Sequence, residues 1–191
     1  MEEISKQRLA LIPVLAEKHK DKYIGRTALM KYMYFLQTLR NVPLGYNFSL
    51  YTYGPFDPDV LFDLNVSVAT QVCEANLEQY VGGYGYKITP NANAENIKTE
   101  NKEFLDKYEK DIDWLFEKFG EYRSADLELV STIIYVDREF SEKRAKDANA
   151  NKVLVDTIHG IKPHFSEDKI IGFIEKLSNE GILLSIVQAK K

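Results

Sequence analysis

Residues 25–59 constrain the fold more than any other stretch of the chain. Leu29, Met33, Leu36 and Leu39 line one helical stripe, and Ala28, Tyr32 and Phe35 widen it until little of the circumference is left for water. The spacing predicts a helix over 26–40, covered on more than one side. The turn-formers in Asn41-Val42-Pro43-Leu44-Gly45 end it, and residues 47–53 then alternate rings and aliphatics with Asn, Ser and Thr, as a half-buried strand does. Gly54-Pro55 reads as a sharp exit from that strand: glycine permits the turn, proline presets the next φ, and Tyr53 and Phe56 pack on either side. Asp57-Pro58-Asp59 then starts a helix, with an aspartate cap, a proline where no donor is needed and a carboxylate facing the positive end of the dipole.

On either side the pattern is mostly helical. Ile4, Leu9, Leu11, Ile12 and Leu15 predict a first helix, bent or locally disrupted at Pro13. Gly82-Gly83 between apolar runs at 77–81 and 84–88 predicts a β-hairpin turn. The polar run at 90–96 marks the best boundary between an N-terminal unit, 1–90, and a helical C-terminal half, 91–191, packed on it as one compact domain. Phe104, Leu105, Tyr108, Ile112, Leu115, Phe116 and Phe119 recur at threes and fours up to Gly120, a strong helix pattern. Ser124 caps another helix, 153–159 forms a short one, Ser166-Glu167-Asp168 begins a last one, and 182–187 suits a short strand or docked tail. The expected fold class is α+β, predominantly α-helical: a winged-helix-like N-terminal unit with a small β-hairpin wing, and a helical C-terminal half.

Chemistry is sparse. Cys73 is the only cysteine, which rules out an intramolecular disulfide and a cysteine-based zinc site. His19, His159 and His164 are poorly spaced for metal ligation, so no metal or cofactor is expected. No nucleophile elbow, P-loop or dinucleotide fingerprint occurs. Asp106, Glu109, Asp111 and Asp113 alternate with lysines on what should be a solvated helix face, which favours no catalytic residue. The acidic start Met1-Glu2-Glu3 and the lack of a run of roughly 20 apolar residues predict a cytoplasmic chain without a membrane span.

A net charge of −4 gives no general attraction for phosphate backbones. The helix before the wing, which would enter a DNA groove in a winged-helix reader, carries Asp57, Asp59 and Asp63 and no Lys or Arg. Arg26, Lys31 and Arg40 on the second helix read as side chains that snorkel to water. The surplus of Tyr and Phe on that helix and around residues 54–55 exceeds what one stripe buries, and predicts an aromatic interaction surface there.

The run Gly25-Arg26-x-x-Leu29-x-Lys31-x-x-Tyr34-Phe35, the turn Tyr53-Gly54-Pro55-Phe56 and the wing-like Tyr86-Lys87-Ile88-Thr89 resemble the Panacea-domain proteins, which include SocA-like antitoxins, and the related YwgA-like bacterial proteins. The resemblance is best over about residues 20–90. It implies a small bacterial or phage-borne protein that acts through contacts with a protein partner, either a toxin or the target of a protease adaptor. It also places Lys31, Tyr34, Phe35, Tyr53, Gly54, Pro55 and Phe56 at the centre of the shared structure. The expected function is thus a non-enzymatic, antitoxin-like or adaptor-like binding module, with a homodimer open. A DNA-binding regulator of winged-helix type is the alternative, and an enzyme with a dispersed site is third.

Overall fold

The computed structural model describes residues 2–19, 24–80, 83–144 and 150–184. Among these the chain forms, in order, α1 (Glu3–Lys18), α2 (Arg26–Arg40), β1 (Ser49–Tyr51), β2 (Gly54–Phe56), α3 (Pro58–Ala69), β3 (Cys73–Tyr80), β4 (Gly83–Pro90), α4 (Ala94–Glu100), α5 (Lys102–Phe119), α6 (Ser124–Arg144), α7 (Ala150–Ile161) and α8 (Glu167–Asn179). The fold is α+β and predominantly helical, and its N-terminal half follows a winged-helix-like order ending in the β3–β4 hairpin. No helix among the described residues is long and apolar enough to cross a membrane.

The chain divides into two compact units. The first comprises residues 1–49 and 56–124; the second comprises 50–55 and 125–191. The polar run at 90–96 therefore marks no division: α4 begins inside it, and both α4 and α5 belong to the first unit. Turn-forming composition reports exposure of a surface turn, and exposure alone does not separate cores.

The first unit is built around α2. Leu29, Tyr32, Met33, Phe35 and Leu36 are all fully buried, and α2 packs against α3, α5 and β4. Phe35 and Phe119 of α5 stack with ring centroids 4.3 Å apart. Helix α1 runs through Pro13 without interruption and buries Leu9, Leu11, Ile12 and Leu15. Packing of that face holds the turn that loses a hydrogen bond at the proline. At α3 the Asp57 carboxylate accepts from the Asp59 amide at 2.8 Å, as the capping pattern predicts, and it also accepts from the Asn47 amide.

Strands β3 and β4 pair antiparallel from Cys73↔Pro90 to Tyr80↔Gly83. Gly83 is thus the first residue of β4 and not part of a central Gly82-Gly83 turn pair; Val81 and Gly82 lie outside the described residues. The root of this wing is buried at Cys73 and Ile88, and its distal part exposes Leu77 and Tyr84. The Ile88 amide donates to the Ile24 carbonyl at 3.0 Å, so the residue entering α2 is bonded to the wing.

A buried polar network ties α1 to α3. Asp63 accepts from the Tyr46 hydroxyl at 2.8 Å and pairs with Arg8 Nε at 2.9 Å, while the Arg8 guanidinium lies 4.6 Å from the centre of the Tyr46 ring. Burial pushes the Asp63 carboxyl above the usual carboxylate range, against the opposing pull of Tyr46 and Arg8. Burial likewise raises the Tyr46 hydroxyl.

In the second unit α6 buries Leu127, Leu129, Val130, Ile133, Ile134 and Val136, more than one helical face. Helix α7 supplies Leu154 and Ile158, and α8, capped by the Ser166 hydroxyl accepting from the Lys169 amide, supplies Ile170, Ile174 and Leu177. Past α8, Ile182 and Leu183 are buried, and the Leu184 amide donates to Asp137 at 2.8 Å. Residues 182–184 form no strand; 185–187 of the expected strand or tail lie outside the described residues.

Candidate functional site

Residues 47–53 do not form one strand that exits at Gly54-Pro55. The strand is split: β1 ends at Tyr51, Thr52 and Tyr53 make the turn, and Gly54-Pro55-Phe56 is the returning strand β2. Proline is tolerated because a two-stranded ladder consists of edge strands, where a missing amide leaves no interior bond unmade. Gly54 is required on two counts. Its φ is +88°, and a Cβ there would lie 2.9 Å from Ser131 Oγ and 3.0 Å from Thr132 Oγ1. The hairpin tip, residues 50–55, is therefore seated directly on α6 within the second unit.

A buried lysine also holds the tip. Lys162 follows α7, is 1% exposed, donates to the Thr52 carbonyl and lies 2.8 Å from Glu128 Oε1 of α6. His164 Nε2 approaches the same carboxylate oxygen at 3.4 Å from the solvent side. Ser131 and Thr132 donate their hydroxyls back to the Glu128 carbonyl at 3.0 and 2.8 Å, which satisfies them under the seated glycine. The ammonium is committed between a carboxylate and a backbone carbonyl, an arrangement that positions a loop and leaves no free amine for nucleophilic or base chemistry.

The clasp leaves two rings in water. Tyr51 is 65% exposed and Tyr53 66% exposed. Tyr53 therefore does not pack beside the turn. Pro55 and Gly54 are buried in the second unit, and Phe56, at the start of the following segment of the first unit, is half-buried.

The other signature residues belong to the first unit's interior. Lys31 is 2% exposed, Tyr34 3% and Phe35 0%. The aromatic surface expected on the second helix is thus a core: Tyr34 meets Phe48 edge-on at 5.2 Å, and Tyr32 meets Phe116 at 5.4 Å. Lys31 does not snorkel to water; Arg26 stacks on Tyr86, and Arg40 pairs with Asp111 at 2.7 Å beside Trp114. Helical periodicity counts apolar faces, but it cannot tell how many neighbours will cover them.

Cys73 is buried and its thiol is pushed up to about 11, chiefly by desolvation. Asp106 pairs with Lys102, and Asp113 with Lys18, on the α5 surface. His19 packs near the rings of Tyr32 and Phe116, and His159 Nδ1 lies 3.8 Å from Glu167. Among the described residues no group of three or more His, Cys, Asp or Glu side chains converges as a metal site would require. Glu128 and Lys162, absent from the expected site, had one trace in the sequence: a lone lysine between Ile161 and Pro163, flanked on the N-terminal side by an apolar helix. No family model matches the chain, and no curated protein matches it.

Proposed function

We propose that the protein is a non-enzymatic, antitoxin-like or adaptor-like binding module of bacterial or phage origin. It works in the cytoplasm and engages its protein partner through the β1–β2 tip. The carrying observation is the pair of exposed rings, Tyr51 and Tyr53, on a tip fastened by Lys162 and by the seat of Gly54 on α6. Tyrosine brings a large contact area with few rotatable bonds, and a tip already held in place loses little freedom on association. Residues 50–55 lie inside the stretch that resembles the Panacea and YwgA-like proteins, so resemblance and exposure favour the same element.

The DNA-binding alternative places α3 in the major groove. The exposed part of that helix carries Asp59 and Phe62 and no cation, a face that repels phosphate and suits a protein surface. Coexpression with the product of the adjacent gene tests the reading. We expect a stable complex, or relief of that product's toxicity, weakened by roughly tenfold or more in Y51A/Y53A while the unfolding transition is unchanged. Failure to associate with the adjacent product, together with salt-sensitive binding to the upstream DNA, would reverse the order of the two readings. Sedimentation of the protein alone reports the homodimer.

A further inference from the structure

Where α2 begins, the first unit carries a cleft of about 350 Å³ lined by residues 25–27, residues 84–86 and Ser124. Its lining contains a cation and hydroxyl groups and no carboxylate. A second cleft, of about 310 Å³, is lined by Glu3, Glu100 and Glu103 with Lys107, so the two differ in sign. Arg26 makes no ion pair among the described residues. Its guanidinium lies 3.6 Å from the centre of the Tyr86 ring, which fixes the plane of the charge, and its Nε is buried with no hydrogen-bond partner. A buried guanidinium donor without an acceptor is uncommon, because its desolvation goes uncompensated.

Gly25 approaches the wing so closely that a Cβ there would lie 2.9 Å from the Tyr86 carbonyl oxygen. Gly25 also has no side chain with which to cap α2, so the opening amides of the helix add donors to those of Arg26, Thr27, Ser124 and Tyr84. These groups come from three elements, α2, β4 and the start of α6. A planar carboxylate presents two oxygens in one plane, whereas a tetrahedral anion presents oxygens to all three. A long polyanion is disfavoured: Glu78 pairs in register with Gly85, and Glu74 lies exposed on the same strand.

We propose that this cleft binds a phosphate monoester, with Arg26 as its anchoring cation and Thr27 and Ser124 as hydroxyl donors. The proposal is independent of the tyrosine tip, which lies in the other unit. Amide proton–nitrogen spectra of the full chain at low salt, titrated with inorganic phosphate, phenyl phosphate and acetate, test it. We expect saturable shifts at Gly25, Thr27 and Gly85 with phenyl phosphate and weaker or no response to acetate. Affinity should fall by roughly tenfold or more in R26Q and by a few-fold in S124A, as expected for losing a charge-assisted and a neutral hydrogen bond. S124A keeps the test informative if R26Q fails to fold. Absence of saturable shifts, an equal response to acetate, or undiminished affinity in a folded R26Q would overturn the proposal. So would a single-stranded oligonucleotide that shifts these amides when neither phosphate does.

Discussion

Lys162 Nζ lies 2.8 Å from Glu128 Oε1 in an almost fully buried pair, and the same ammonium holds the carbonyl of Thr52 at the tip of the β1–β2 hairpin. Two charges withdrawn from water tolerate each other only as partners, so removal of one leaves the other uncompensated. K162M should therefore destabilise the second unit by about 3–5 kcal/mol in urea unfolding. K162M/E128L, which removes both charges, should recover a large part of that loss. A double variant as unstable as the single would show that the pair is not the source of the effect.

Gly54 combines a positive φ with a side-chain position already occupied by Ser131 and Thr132. G54A should cost about 1–3 kcal/mol, from backbone strain and overpacking together. In G54A/S131A the overpacking should be relieved in part, with the Thr132 Oγ1 contact and the φ strain retained. A double-mutant cycle in chemical denaturation separates the two, and strictly additive losses would refute the contact.

Phe35 stands for the buried signature residues. Its ring is 0% exposed and stacked on Phe119, so F35A should lower stability by about 3–5 kcal/mol. Partner binding, measured where F35A is still folded, should persist. Loss of binding with unchanged stability would return Phe35 to the interaction surface.

Asp63 gives stability a pH dependence of defined sign. Its carboxyl is raised in the folded state by burial, whereas the unfolded chain titrates near about 3.9. The folded protein therefore keeps a proton that the unfolded chain has released. The stabilisation from this group is fully present below the unfolded value and is lost as pH rises through the folded one. The stability of the parent relative to D63N should fall as pH rises from the unfolded value through the raised folded one. A difference that is flat or rises with pH would contradict the direction assigned to Asp63.

Much of the fold is legible in the order of residues because the governing interactions are local. The α2 pattern gives the observed bounds Arg26–Arg40, and Asp57 and Ser166 cap the helices they precede. Both are cases in which a side chain within a few residues decides where free amides end. The wing appears with its first strand beginning earlier than the apolar run suggests, since Glu74 and Asn76 pair across the ladder despite their polarity. The β1–β2 hairpin was hidden because Thr52-Tyr53 carries no strong turn signal, while Gly54-Pro55 carries one and lies in a strand. Glycine is there for the surface of α6, a neighbour some seventy-five positions away in the chain.

The sequence alone determined the helical class, the winged-helix-like order, the caps, and the presence of an aromatic-rich centre around residues 25–59. Tertiary structure alone decided which of those rings are core and which are surface: Tyr32, Tyr34 and Phe35 are enclosed, whereas Tyr51 and Tyr53 stand in water. It also decided the pairing of Glu128 with Lys162, and the placing of Arg26 over Tyr86 beside an open cleft. The reason is the range of the forces. Capping, propensity and periodicity act within a few residues, but burial is a sum over neighbours brought from distant parts of the chain, and no local pattern records that sum.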